Sequence, residues 1–99
     1  GQDLPSAALD CQSALKLSPN DTYAMTGLGL IALKQGQYAR ALQEYNAALA
    51  VNPQLARAYY GRGLAKMKTG DTTGGQADID TAKGMQPNIV AGFALYGLK

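Results

Sequence analysis

The sequence contains no histidine and only one cysteine, Cys11, among its 99 residues. Histidine is the commonest metal ligand and general base, and a disulfide needs two cysteines. The chain also lacks a serine-and-base arrangement and a cluster of thiols, which nucleophilic catalysis would need. We therefore predict no catalytic residues, no metal site, no cofactor and no internal disulfide. Cys11 is interpreted as a small buried hydrophobic residue, because nothing near it in sequence supplies an electropositive setting.

Long apolar runs and a strong excess of one charge are also missing. No apolar stretch approaches the roughly 20 residues of a membrane-spanning helix, and no basic-then-apolar signal segment opens the chain. The formal net charge is only +2, so we predict neither membrane insertion nor a general attraction to nucleic acid. The chain begins with Gly1 rather than methionine, and we expect a fragment or a processed product. These features do not predict a compartment.

Three short motifs resemble ligand sites, and each has a simpler explanation. The stretch 27–32 has the glycine spacing of a dinucleotide loop, but no strand precedes it and the same spacing begins again at 61–63. The glycine-rich stretch 70–75 lacks the Lys-Ser or Lys-Thr of a phosphate-binding loop. Asp78 and Asp80 lie two residues apart on a predicted helix and therefore point about 200° apart. We interpret the glycines as packing or turn residues, and the two carboxylates as separate.

The stretch 27–53 contains two helical patterns that meet at Gly36, and the rest of the chain is organised around it. Apolar or small residues recur at helical spacing on both sides of this glycine. Lys34 lies near the last carbonyl groups of the first pattern, and Gly36 can adopt the positive φ that ends a helix. Pro53 ends the second pattern. The stretch therefore predicts a tight helical hairpin.

The same signals predict where the helices begin and end. The expected bounds are 21–35 and 38–51 for the first hairpin, and about 54 to 85, with a turn at 69–71, for the second. Asn20 or Asp21 is the expected N-cap of the first helix. Gly74 and Gly75 stand early in the last of these helices, where each interior glycine costs about 1 kcal/mol relative to alanine. We expect this turn to fray or to be unusually close-packed.

A shift of 34 residues aligns the sequence with itself. The aligned sets are Pro19, Pro53 and Pro87; Ala14, Ala48 and Ala82; Gly29, Gly63 and Gly97; and Gly36 with Gly70. They fall where helices end or where backbones approach closely. A period of 34 residues with helix-turn-helix content resembles the tetratricopeptide repeat.

The residues of this family's pattern stand in two successive copies. The first copy carries Met25, Leu28, Gly29 and Ala32 in its first helix, and Ala41, Tyr45 and Pro53 in and after its second. The looser second copy carries Tyr59, Arg62, Gly63, Lys66, Gly75, Ile79 and Pro87. The resemblance covers nearly the whole chain and implies an all-α fold, a right-handed α-α superhelix, or solenoid, of helix-turn-helix repeats.

The period also predicts how this single domain is divided. The expected segments are 1–19, the second helix of a truncated repeat; 20–53 and 54–87, two full repeats; and 88–99, a capping helix or the start of a further repeat. Terminal repeats usually present a polar outer face, and the last segment has little polarity. This last segment is therefore expected to expose an apolar surface that other molecules could contact.

The one basic run of the chain splits over two faces of its helix. Arg57 and Lys68 share one face, and Arg62 and Lys66 share the other. A divided run is poorly suited to following a nucleic-acid backbone, so we predict no nucleic-acid partner. In a variant of the resembled family, an arginine before the glycine accompanies an aspartate in the second helix. The resemblance thus implies a salt bridge between Arg62 and Asp78.

In solenoids of helix pairs, the first helices form the concave wall that usually binds partners. By the resemblance, this wall comprises Tyr23, Thr26, Gly27, Leu30, Leu33 and Lys34 in one repeat, and Arg57, Tyr60, Gly61, Leu64, Met67 and Lys68 in the next. All of these except the two glycines are the predicted partner-binding residues. If the last helix continues the array, Ala94, Leu95 and Leu98 extend the wall. Family members that clamp a C-terminal carboxylate use Lys, Arg and Asn here. Because no Asn stands on this wall, such a clamp is not expected.

These observations predict a non-catalytic protein-interaction module that binds a peptide or helix of a partner on the concave face. Leu30, Leu33, Leu64 and Met67 form an apolar strip on this wall. Edged by Lys34, Arg57 and Lys68, the strip suits an amphipathic partner with acidic flanks. Two alternatives stay open. Other segments of the intact protein could cover the strip, or the terminal helices could join copies of the chain end to end in a self-assembling scaffold.

Overall fold

The computed structural model describes residues 12–13 and 15–94, and within these residues the chain is helical and contains no strand. Five helices follow a short N-terminal helical segment (residues 12–13 and 15–17): α1 Thr22–Lys34, α2 Tyr38–Val51, α3 Ala56–Lys68, α4 Thr72–Met85 and α5 Ile89–Ala94. These bounds lie close to those expected from the periodicity. The expectations for Cys11, Leu95 and Leu98 concern positions outside the described residues.

Both hairpins turn at a glycine with positive φ. Gly36 has a φ of 75° and Gly70 has a φ of 98°, values that residues with a Cβ rarely adopt. Just beyond them, the Gln37 N–H donates to the Ala32 carbonyl at 2.8 Å, and the Asp71 N–H donates to the Lys66 carbonyl at 2.9 Å. These bonds satisfy carbonyl groups that the helix end would otherwise leave unpaired.

Aspartates cap the helices that open the first hairpin and close the second. The carboxylate of Asp21 accepts a hydrogen bond from the Ala24 N–H at 3.2 Å, and that of Asp71 accepts one from the Gly74 N–H at 2.9 Å. A side-chain acceptor at this position satisfies a free N–H of the first turn. Asp21, rather than Asn20, is the N-cap of α1.

Helices α3 and α4 cross at a pair of glycines. A Cβ added at Gly63 would lie 2.7 Å from the Gly75 carbonyl oxygen, and one added at Gly75 would lie 2.7 Å from the Gly63 carbonyl oxygen. Only glycine fits such a backbone approach. The start of α4 is therefore close-packed, which is one of the two outcomes expected for this glycine-rich turn.

One hydrophobic core joins all five helices. Alanines without any exposure allow the helices to approach closely, and larger side chains fill the space between them. The core members include Met25, Ala32 and Leu33 of α1; Ala41, Tyr45 and Ala48 of α2; Ala58, Tyr60, Leu64 and Ala65 of α3; Ile79 and Ala82 of α4; and Ile89 and Phe93 of α5. Leu15 of the N-terminal helical segment packs against this core. The array thus has a continuous interior.

The ion pair expected between Arg62 and Asp78 is present. The Arg62 Nε and Nη2 atoms donate to the two carboxylate oxygens of Asp78 at 2.8 and 2.9 Å. Lys66 approaches the same carboxylate at 3.0 Å, and Arg62 Nη1 donates to the Asn46 side chain of α2 at 3.0 Å. This cluster connects the two hairpins as well as the two helices of the second.

Candidate functional site

Two cavities open along the array, and residues predicted to form the concave wall line both of them. The first cavity has a volume of about 410 Å³, and its lining comes from four helices. Its lining residues are Tyr23, Thr26, Gly27 and Leu30 of α1, Tyr45 of α2, Arg57 of α3, and Ile89, Gly92 and Phe93 of α5.

The second cavity has a volume of about 420 Å³ and lies against α3, α4 and α5. Its lining residues are Tyr60, Leu64, Met67 and Lys68 of α3, Gln76, Ile79 and Lys83 of α4, and Val90 of α5. Apolar side chains predominate in it, and the ammonium groups of two lysines supply positive charge.

An aromatic pair stands between the two cavities. The rings of Tyr60 and Phe93 lie 4.6 Å apart between centroids and are tilted by 57°, a geometry that aromatic pairs favour. Tyr60 lines the second cavity and Phe93 lines the first. Helix α5 thus packs over part of the predicted strip, and Tyr60 is left only 3% exposed. We use the word groove for the two cavities together with this aromatic pair.

The predicted wall residues are distributed unevenly over the groove. The first cavity receives Tyr23, Thr26, Gly27, Leu30 and Arg57, and the second receives Tyr60, Leu64, Met67 and Lys68. Leu33, Lys34 and Gly61 line neither cavity. Leu33 is only 5% exposed and belongs to the core, whereas Lys34 is exposed in the last turn of α1.

Several lining residues were not among those predicted for the wall. They are Tyr45, Ile89, Gly92 and Phe93 at the first cavity, and Gln76, Ile79, Lys83 and Val90 at the second. Ile89 and Phe93 align by the 34-residue shift with Leu55 and Tyr59. This alignment indicated that the last helix has an apolar face, but it did not predict that this face would pack over the apolar strip. The second-helix residues were not predicted, because only first helices were assigned to the concave wall.

Arg57 is held in a fixed position at the first cavity. Its Nε atom donates to the Thr26 hydroxyl oxygen at 3.0 Å, and that hydroxyl donates in turn to the Thr22 carbonyl at 2.8 Å. The guanidinium carbon lies 4.3 Å from the centroid of the Tyr23 ring, which is within the range of a cation–π contact. Tyr23 itself is 77% exposed. The arginine is therefore oriented from two sides.

Tyr45 reaches the first cavity from α2. Its ring passes between two helices, against Gly29 of α1 and Gly61 of α3, and a Cβ added at Gly29 would lie 2.8 Å from the ring. The side chain is only 1% exposed, and its hydroxyl has no hydrogen-bond partner among the described residues. Burial raises the pKa of this hydroxyl, and the charge of Arg57 offsets only part of the rise. The hydroxyl is therefore neutral and able to donate.

The charged residues described at the groove have one sign. Arg57 lies at the first cavity, Lys68 and Lys83 lie at the second, and none of the described lining residues is acidic. Within the described part of the chain, no three His, Cys, Asp or Glu side chains are grouped to hold a metal ion. No helix there has the length and apolar character that crossing a bilayer requires. Apolar walls with cationic groups at intervals match a partner that carries both apolar and acidic side chains.

Comparisons with known proteins agree with the repeat pattern. Residues 29–70 match the family described as TPR repeat, and residues 11–43 match the family described as tetratricopeptide repeat. Among curated proteins, none matches the chain. The crystal structure of YrrB, described as a TPR protein with an unusual peptide-binding site, superposes with a TM-score of 0.75 at 26% sequence identity.

That superposition covers 95% of this chain and 47% of the YrrB chain, so the present chain spans about half the length of its structural relative. Family pattern, helix order and superposition lead to the same assignment. The chain belongs to the tetratricopeptide repeat family and has an α-solenoid fold.

Proposed function

We propose that this chain is a non-catalytic module that binds a peptide or helix of a partner protein in the groove on its concave face. The partner places apolar side chains in the two cavities and acidic side chains beside Arg57, Lys68 and Lys83. The observation that carries the proposal is the groove itself: two cavities of similar volume, whose described lining includes apolar and cationic side chains and no acidic one.

The exposure of Tyr23 supports the same proposal. A large aromatic side chain that is 77% exposed and stacked on an arginine is typical of residues that a partner covers. The peptide-binding site described for YrrB supports this class of ligand. The cationic groups would steer an acidic partner and increase its association rate, most strongly at low salt.

A peptide selection with paired charge reversals tests the proposal. Peptides of about a dozen residues, selected against the 99-residue chain, are measured against Lys68→Glu and Lys16→Glu. Both lysines are exposed, but only Lys68 lines the groove. We expect Lys68→Glu to weaken binding about tenfold, because an attraction becomes a repulsion, and Lys16→Glu to weaken it less than about twofold.

Tyr23→Ala provides the apolar counterpart and is expected to weaken binding about tenfold without unfolding the chain, because the side chain is largely exposed. Binding that is insensitive to both groove variants, or equally sensitive to Lys16→Glu, would place the peptide elsewhere and refute the proposal.

A second candidate function is self-assembly through the terminal helices. Leu17, in the N-terminal helical segment, is 88% exposed. A large apolar side chain at one end of a repeat array can pack against an end of another copy, and such head-to-tail contacts produce rings or filaments. Such assembly would make the mass in solution rise with concentration.

A further inference from the structure

The buried hydroxyl of Tyr45 has no hydrogen-bond partner among the described residues of the free protein. A hydroxyl removed from water is destabilising unless it finds a hydrogen-bond partner. Tyr45 is nonetheless held with its ring between Gly29 and Gly61, where any larger residue would contact it, and it lines the first cavity. A phenylalanine would fill the ring space equally well. The hydroxyl is thus a buried polar group at a cavity, and no described residue is its hydrogen-bond partner.

The guanidinium of Arg57 lines the same cavity and has hydrogen-bond donors that no described residue uses. Its Nε is engaged with Thr26 and one face is stacked on Tyr23. No described residue accepts a hydrogen bond from its two terminal nitrogens. A guanidinium presents its donors as a planar fork that matches a carboxylate. Two kinds of donor, a fixed guanidinium and a neutral hydroxyl, are therefore available to one acceptor.

The chemistry of the cavity favours a carboxylate on an apolar stem. Leu30, Ile89 and Phe93 form apolar walls, and Arg57 is the one charged residue among the described residues of the lining. A single positive charge balances one carboxylate, whereas a phosphate group carries nearly two negative charges and three acceptor oxygens. The methylene groups of a glutamate side chain can lie along these walls while the carboxylate reaches the donors.

A side-chain carboxylate suits this cavity better than a chain terminus. To bring a terminal carboxylate to the buried Tyr45 hydroxyl, the partner's last backbone N–H groups would have to enter the apolar part of the cavity. Buried N–H groups without acceptors are destabilising. A glutamate side chain leaves the partner's backbone at the cavity mouth.

We propose that the first cavity is a glutamate-recognition subsite, in which an internal glutamate of a partner polypeptide accepts hydrogen bonds from the terminal nitrogens of Arg57 and from the Tyr45 hydroxyl. This inference rests on the proposed function of the groove and adds the residue that the groove selects. Tyr45 then has two roles, with its ring in the core and its hydroxyl in recognition.

The test is a double-mutant cycle on peptides selected against the wild-type chain. The library contains peptides of about a dozen residues with either free or amidated C-termini. In a selected amidated peptide, the glutamate is replaced by methionine, which is unbranched and forms no comparable hydrogen bond. Both peptides are then measured on wild type and on Tyr45→Phe, with Tyr38→Phe as the control because Tyr38 lines neither cavity.

We expect the glutamate-to-methionine change to weaken binding to wild type about thirtyfold, since a charge-assisted pair is lost. Tyr45→Phe should weaken the glutamate peptide about fivefold and the methionine peptide less than about twofold. Tyr38→Phe should change neither. The melting temperature of Tyr45→Phe should equal or exceed that of wild type, because the lost hydroxyl has no hydrogen-bond partner among the described residues.

Three results would overturn the inference. Peptides that bind the groove but show no coupling between glutamate and Tyr45 would leave the proposed function standing and remove the subsite. Binding that requires a free C-terminus would make a terminal carboxylate the occupant. If no peptide binds the wild-type chain, the proposed function fails, and the subsite fails with it.

Discussion

Asp78 is the residue on which the ionic interactions of the second hairpin converge. Its side chain is nearly buried and receives Arg62 at two oxygens and Lys66 at one. Burial alone would raise the pKa of this carboxyl, but the hydrogen bonds from Arg62 and Lys66 outweigh it and hold the pKa below its usual value. The folded state therefore favours the ionised carboxylate.

The stability of the chain should depend on pH through this carboxylate. Because the pKa of Asp78 is lowered on folding, its contribution is fully present above the unfolded pKa of about 4 and is lost as the pH falls through the folded value. Asp78→Asn should lower the free energy of unfolding by about 2 kcal/mol at neutral pH and reduce its decline in acid. Urea unfolding at about pH 7, 5 and 3 measures both effects.

The control for this prediction is Asp80→Asn, which makes the same change two residues away. Asp80 is exposed and accepts one hydrogen bond, from Gln76 at 2.8 Å, so its replacement should matter little. Equal effects of the two variants, or an Asp78→Asn chain with an unaltered acid decline, would contradict the assignment.

At the residue scale, the sequence predicted the ion pair between Arg62 and Asp78 but not that the Tyr45 side chain would extend to a cavity. The Arg62–Asp78 contact followed from the family pattern because both residues stand in fixed register within one repeat. The lining role of Tyr45 could not be predicted, because periodicity assigns it to the core. It reaches the first cavity only because Gly29 and Gly61 leave room for its ring on both sides. This arrangement involves residues of three helices, and residue spacing along one helix does not predict it.

Among the helices, α4 is the one whose formation depends most on its neighbour. It contains glycines at 74, 75 and 84, which weaken an isolated helix. Gly75 contacts the backbone of α3 at Gly63 and the side chain of Met67. The contact with α3 thus compensates for a poor intrinsic propensity.

Two alanine substitutions in α4 should therefore have opposite signs. Gly75→Ala should lower the free energy of unfolding by about 2 kcal/mol, because its Cβ would force the two helix backbones apart. Gly84→Ala should raise it by about 0.5 kcal/mol, because nothing lies within 4 Å of the added Cβ. Chemical denaturation of the two variants decides the matter, and a stabilising Gly75→Ala would disprove the close crossing.

The sequence predicted the existence and bounds of the helices better than the placement of the last one. Apolar periodicity and turn residues are local signals, and they sufficed for α1 to α4. The packing of α5 over Tyr60 is a tertiary contact, made by the rings of Tyr60 and Phe93. Leu33 is a second example of a position that depends on tertiary contacts. It was predicted to lie on the concave wall, but it belongs to the core because neighbouring helices pack against it.

For the whole molecule, binding through the groove and assembly through the terminal helices predict different molar masses in solution. If the groove is the functional surface, light scattering should give a constant monomer mass from low to high micromolar concentration. A mass that rises with concentration, and that returns to the monomer in Leu17→Glu and Leu98→Glu, would favour end-to-end assembly instead. Val51→Glu, an equal charge change at a partly exposed apolar residue of α2, serves as the control.

The contact of Tyr45 with Gly29 and Gly61 also restricts which repeat can follow which. In the 34-residue register, Tyr45 corresponds to Ile79, and Gly61 corresponds to Leu95. A segment with leucine in the place of Gly61 cannot stand directly after one that carries Tyr45, because ring and side chain would claim the same volume. The repeats of this array are therefore not interchangeable, because the order in which they can pack is set by steric complementarity at each junction. A chain with the repeats in another order would not pack correctly, even if each hairpin kept its own structure.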